Sequence, residues 1–307
     1  MKNKFRLEKY ALPEKYEIFI EPDLDNEKFT GSEIIQIKIK KSTQQIKLNS
    51  IGLKIYKPKL IDSNNNEYDP EINFDKKHEI VEFNFDQEIK EGEYELYLEF
   101  SGILDNSLRG FYISTYQDPK GKLHKIGTTQ FESTDARRAF PCFDEPEFKS
   151  IFSIQLKVPK DLFTVSNSSL KEKIAENDKI IYEFKDTIKM STYLVAFIMG
   201  PFEATDELIV DGTPLRIVFP EGKKNLSKFA LDVGEFALKY FSDYFGRPYP
   251  GDKLDMIAIP DFASGAMENL GCITYREALL LVDEKNATQG ELTRIADVIC
   301  HEIAHMW

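Results

Sequence analysis

The chain has little of what would place it outside a cell, in a membrane or on a nucleic acid. Its three cysteines, Cys142, Cys272 and Cys300, are scattered over 307 residues. An odd, widely spaced set makes neither a disulfide framework nor a Cys-x-x-Cys pair, so reduced thiols are expected, each packed as a small hydrophobe, in a cytoplasmic protein. No apolar run approaches the roughly 20 residues that span a bilayer. The longest candidate, Tyr193 to Met199, has the length of a buried strand. Lys2, Lys4 and Arg6 make a basic start, but Glu8 and Lys9 stand where a signal peptide would carry its apolar stretch. Positive charge is also short: 40 Lys and Arg face 52 Asp and Glu, a net charge of −12. That balance speaks against a nucleic-acid binder and is compatible with cationic ligands such as free amino groups. There are four histidines and a single tryptophan, Trp307.

What is present reads as two regions. In the first, Ile35, Ile37 and Ile39 alternate with Gln36, Lys38 and Lys40. Val81, Phe83 and Phe85 do the same, as do Tyr94, Leu96, Leu98 and Phe100, and Phe152, Ile154, Leu156 and Val158. Period-two patterning puts one face in a core and the other in water. Turn clusters at 62–66, 90–92, 118–121 and 176–178 separate these runs. The expectation is a mainly β domain over 1–203, built of antiparallel sheets as a sandwich or saddle.

After about Phe202 the character becomes α/β. Strands are expected over 215–219, 254–259, 272–275 and 278–282. A helix is expected over 226–245, with Phe229, Val233, Phe236, Ala237 and Tyr240 inward and Gly246 and Pro248 as stops. A last helix starts near Thr288. Thr288 and Glu291 have capping-box spacing, and Leu292, Ile295, Ala296, Ile299 and Ile303 mark one face.

That helix carries His301, Glu302 and His305 in the pattern HEIAH. Residues four apart project from one helix face, so two neutral imidazoles reach one Zn²⁺. Glu302 lies beside the pair and is placed to take a proton from a water on the metal without ligating it. His78 and His124 sit among turn and charge signals and read as surface residues.

Three segments together resemble the M1 family of zinc aminopeptidases, of aminopeptidase N type within the gluzincins. They are Gln130 to Pro146 (QFESTDARRAFPCFDEP), Gly265 to Asn269 (GAMEN) and His301 to Trp307 (HEIAHMW). The resemblance covers essentially the whole chain, in the family's order. It implies a β saddle followed, over 204–307, by the first part of a thermolysin-like catalytic domain. It implies one zinc ion on His301 and His305 and Glu302 as the catalytic base. It further implies that Glu268, helped by Glu132 and Gln130, binds the substrate's free α-ammonium. Gly265 and Ala266 would pair with the peptide backbone, with Met267 as a pocket wall and Asn269 completing the segment. Asp135, Arg137, Arg138 and Asp144 read as structural ion pairs or turn residues and not as catalytic groups, and Pro141 and Pro146 as stiffeners of their loop.

A catalytic zinc takes three protein ligands and a water. The family draws its third ligand, a Glu, from a helix after HExxH, and also uses a later Tyr and a helical domain. This sequence ends two residues after His305, with no obvious upstream substitute. The expectation is therefore one half of a split enzyme, completed by a second polypeptide, with Met306 and Trp307 at an open apolar surface as interface anchors. Truncation is the competing explanation. The alternative function is a non-catalytic protein that binds peptide N-termini and has an incomplete metal site.

Overall fold

The computed structural model describes residues 6–118 and 120–307. Met1 to Phe5, where the leader reading begins, and Pro119 of the expected turn at 118–121 lie outside the described residues.

The alternating segments do become strands. Ala11–Asp23 folds back on Lys28–Ile39 through a turn in which the Asp23 carboxylate accepts from the Asn26 amide. Gly92–Ile103 and Lys54–Asp62 extend this sheet on one side. Ile151–Pro159, Lys179–Phe184 and Leu170–Glu176 extend it on the other. Tyr16, Ile18 and Ile20 point to the same interior as Ile35, Ile37 and Ile39, and all six are buried. Each buried side chain of this size removes about 1.5–3 kcal/mol of unfavourable hydration.

One pairing departs from the antiparallel expectation. Ala11–Asp23 and Ile151–Pro159 run parallel, with Tyr16 opposite Phe152 and their rings stacked at 5.0 Å. A long intervening stretch of chain separates the two strands, so no hairpin constrains their sense. A three-stranded sheet of Thr43–Asn49, Ile80–Ile89 and Glu71–Asp75 closes the sandwich, and its Ile46, Leu48, Val81 and Phe83 share the same core.

A four-stranded sheet joins the two halves of the molecule. Its strands are Phe163–Ser166, Phe197–Gly200, Leu123–Gln130 and Gly110–Gln117. Alternation works here in both directions. Phe197 and Met199 enter the β-domain core, while Ala196 and Ile198 pack against Val218, Ile257 and Met267 of the next sheet. Tyr193 to Met199 was expected to be one strand. It is instead a 3₁₀ turn, Thr192–Leu194, followed by the strand Phe197–Gly200.

After Pro201 the chain enters a six-stranded sheet at Phe202–Ala204. Thr213–Pro220, Leu254–Ile259 and Cys272–Arg276 run parallel, with the short strand Ala266–Met267 at the far edge. Helix α1, Lys228–Phe245, makes the crossover between the first two parallel strands. Its buried residues are Ala230, Gly234, Ala237 and Leu238. Phe236 and Tyr240, expected inward, are 62% and 49% exposed. Small residues win the inner face because the helix lies close on the sheet: a Cβ at Gly234 would stand 2.7 Å from Met256 Cε. Gly246 ends the helix in the left-handed region, at φ 63°, where a glycine carries no side-chain penalty.

The strand expected over 278–282 is absent. Glu277–Leu279 is a 3₁₀ turn whose Glu277 carbonyl accepts from the amides of Leu280 and Leu281. Both leucines are buried by that turn, which a single strand face could not do for neighbours. Helix α2, Gln289–Ala304, begins with the full capping box between Thr288 and Glu291. Ile295, Val298, Ile299, Glu302 and Ile303 form its buried face.

Of the two expected anchors Met306 is buried, while Trp307 is half-buried and stacks on Phe245, itself 45% exposed. Met306 is 9% exposed. The Trp307 indole packs on Phe241, Phe245 and Tyr249, and its N–H donates to the Arg247 carbonyl at 2.8 Å.

Candidate active site

Helix α2 carries the HEIAH residues in its last turn and just beyond it. His301 and His305 are exposed, and their Nε2 atoms lie 3.1 Å apart. Two ligands each about 2.0–2.1 Å from a tetrahedral zinc stand roughly 3.3 Å from each other. The spacing of the imidazole pair is close to that of two ligands on one zinc ion. Glu302, one residue on, is 6% exposed. Burial pushes its carboxyl up to about 7, and the nearby charges of Glu268 and Glu132 push in the same direction. A carboxyl in that range exchanges a proton near neutral pH.

Glu268 joins this group from the sheet edge. Its carboxylate, that of Glu302 and an imidazole nitrogen of His305 lie within 4.8 Å of one another. Glu268 follows the edge strand Ala266–Met267, which pairs with Cys272–Arg276 in the register Ala266 opposite Tyr275. The Gly265 carbonyl accepts from the Arg276 amide. The other edge of Ala266–Met267 has no neighbouring strand among the described residues, the geometry required for strand addition by an extended peptide. Gly265 has no left-handed φ, and a Cβ there would meet only the tip of Leu279, at 3.3 Å. Met267 is fully buried. Asn269 is 1% exposed, with its amide on Thr274 Oγ1 and its carbonyl on the Cys272 amide, so it shapes the turn after Glu268 from inside.

Gln130 and Glu132 arrive from the four-stranded sheet. Gln130 ends the strand Leu123–Gln130 and is 7% exposed, with its Oε1 atom unpartnered among the described residues. Glu132 is exposed two residues later, its charge felt by Glu302 and Tyr193. The ion pairs around it are structural. Arg137 bonds the buried Asp144 at 2.8 Å and Glu79 at 2.8 Å, and Arg138 bonds Asp135 at 2.6 Å.

Two histidines take no part. His78 and His124 were expected on the surface, yet both are half-buried. His78 is held by Asp75 at 2.6 Å and His124 by Asp118 at 3.1 Å, the latter stacked on Tyr116. The carboxylate in each turn supplies a local partner that draws the ring down.

Three residues that carry no motif hold the site together. Asn167 donates to the carbonyls of Leu194 and Leu270, both at 2.8 Å, and accepts from the Ala196 amide. It ties the turn before Phe197 to the loop behind Glu268. Asp261 accepts from the Thr115 amide at 2.8 Å while its own amide donates to Ser114 Oγ, fixing the loop that leads to Gly265. Tyr193 is half-buried where both cores meet, and its phenol is pushed up by burial and by Glu268 and Glu132. As part of an apolar run it gave no sequence signal of its own.

Two family models match this chain in succession: "Peptidase M1 N-terminal domain" over residues 12–194 and "Peptidase family M1 domain" over residues 229–307. The chain belongs to peptidase family M1. Aminopeptidase M1-C of Oryza sativa subsp. japonica is 40% identical over 98% of this chain and 34% of its own length. Endoplasmic reticulum aminopeptidase 1 of Homo sapiens is 36% identical over 99% of this chain and 33% of its own. Aminopeptidase N of Acetobacter pasteurianus is 36% identical over 98% of this chain and 84% of its own. This M1 chain therefore spans about a third of the length of the first two relatives and most of the third. The junction of the two M1 matches falls across the segment where the polypeptide leaves the four-stranded sheet for the six-stranded one. Among the described residues no helix is long and apolar enough to cross a membrane.

Proposed function

We propose that this chain carries the substrate-amine site and two of the zinc ligands of an M1 aminopeptidase, and that it removes N-terminal residues from peptides once its metal site is complete. The observation that carries the reading is the 3.1 Å separation of the His301 and His305 Nε2 atoms, beside a buried Glu302 and within reach of Glu268.

His301 and His305 would hold the ion. Zinc bound there supplies Lewis-acid polarisation and lowers the pKa of water. Glu302 takes the proton of the attacking water on its carboxylate and passes it to the leaving amine. Its raised carboxyl suits both halves of that transfer. Glu268 and Glu132, with Gln130 in support, accept from the substrate's α-ammonium, which sets the cut one residue from the N-terminus. Gly265 and Ala266 hold the peptide backbone along the open edge of their strand, and buried Met267 and Asn269 keep that edge in place.

The third protein ligand is proposed to come from M1 sequence outside these 307 residues, since the chain spans about a third of the length of the first relatives it matches. The test is a two-part assay of zinc content and aminoacyl-arylamide hydrolysis, on this chain alone and with a recombinant C-terminal M1 segment. The expected result is weak zinc binding and no turnover alone, with both gained on mixing. Full turnover by the chain alone refutes the need for a partner. Glu302→Gln in the mixture is expected to keep zinc and abolish turnover; retained turnover removes Glu302 from its role. Peptide binding with no zinc and no hydrolysis in any mixture would favour the non-catalytic reading.

A further inference from the structure

Outside the candidate active site, the β domain holds a cavity of about 700 Å³ where the crossover Ser50 to Leu53 leaves the three-stranded sheet for the eight-stranded one. Its size falls within the usual range for small-molecule sites. Leu53, Ile55 and Ile80 make an apolar floor, each under 10% exposed. Tyr56 and Phe74 flank the mouth and are 45% and 42% exposed, a high value for large apolar rings. Two polar features break the lining. The Ser50 hydroxyl is buried without a hydrogen-bond partner among the described residues, which is costly unless something else supplies one. Lys54 and Lys76 stand on the wall, exposed and without an ion-pair partner among the described residues, although the chain carries a net charge of −12. The one acid of the lining, Glu79, is already engaged by Arg137 at 2.8 Å.

We propose that this cavity binds an amphiphilic carboxylate: a hydrocarbon chain lying on Leu53, Ile55 and Ile80 between Tyr56 and Phe74, with its head group on Lys54 and Lys76. Charge complementarity selects this occupant. The apolar floor has no use for a polar body, and two unpaired ammonium groups have no use for a neutral or cationic head. The peptidase reading plays no part in this assignment.

Isothermal titration of the full chain with dodecanoate tests it, with dodecan-1-ol as the uncharged comparison, both below their aggregation concentrations. The expected result is saturable one-to-one dodecanoate binding, with the alcohol at least about tenfold weaker. The double variant K54Q/K76Q is expected to weaken dodecanoate about tenfold and leave the alcohol unchanged. Phe74→Asp, at an exposed position, should abolish both. No saturable dodecanoate binding overturns the proposal, as does equal binding of acid and alcohol. Binding that survives both variants overturns it too.

Discussion

The side-chain amide of Asn167 donates to the carbonyl of Leu270 at 2.8 Å, across the seam between the four-stranded sheet and the six-stranded sheet. The same amide group holds Leu194 and Ala196, so one residue fixes two backbone segments that have no sequence relation. Leu270 lies two residues after Glu268. The placement of the Glu268 carboxylate is thereby tied to the β domain.

Replacing Asn167 by alanine leaves two carbonyls and one amide in the seam without partners. The expected destabilisation is about 3–5 kcal/mol, read as a lower urea midpoint with little change in slope. Asn167→Asp should recover little, because a carboxylate cannot donate to the carbonyls of Leu194 and Leu270.

Gly271 meets the same residue from the other side. It has φ +71°, and a Cβ there would lie 2.1 Å from the Asn167 carbonyl oxygen. Gly271→Ala combines left-handed strain with a backbone collision, and is expected to cost about 3 kcal/mol or more in thermal or urea unfolding. Gly265→Ala, facing only a flexible leucine tip, should cost far less.

Asp255 is 2% exposed and bonds Arg216 at 2.6 and 3.1 Å and Lys253 at 2.9 Å. Burial alone would raise its carboxyl, but the charges of Lys253 and Arg216 outweigh burial and hold it below its ordinary value. Its contribution to stability is therefore present above the unfolded carboxyl's pKa, about 3.9. It is lost as pH falls through the lower, folded value. Asp255→Asn, which leaves the buried Lys253 and the half-buried Arg216 without this carboxylate, should cost about 3 kcal/mol at pH 7 and flatten the loss of stability below about pH 4. Urea titrations at several pH values measure both effects.

Glu268 can be asked whether it serves the substrate or the metal. As the amine acceptor, Glu268→Gln should leave zinc affinity unchanged. It should weaken binding of a peptide with a free N-terminus by about 10–100-fold, with no effect on its N-acetylated form. A large loss of zinc affinity would instead make Glu268 a ligand. Calorimetry with zinc and with each peptide separates the outcomes.

Local pattern determined much of this protein. Alternation in 35–40, 81–85, 94–100 and 152–158 specified strands and their inward faces, because a period of two leaves only one way to bury them. Thr288 and Glu291 specified where α2 starts, and the four-residue spacing of His301 and His305 specified that both rings share a side, since each is a property of a single helical turn. Tertiary structure decided what depends on residues far apart. It chose the small face of α1 over the bulky one, because the sheet beneath comes too close for Phe236 or Tyr240. It turned Glu277 to Leu281 into a coil that buries adjacent leucines. It brought Glu268 and Glu132 to the buried Glu302, raising its carboxyl through burial and their fields, neither of which a linear sequence displays. Asn167 is the extreme case: its role exists only where three backbone segments meet, and no period, cap or motif marks that meeting point.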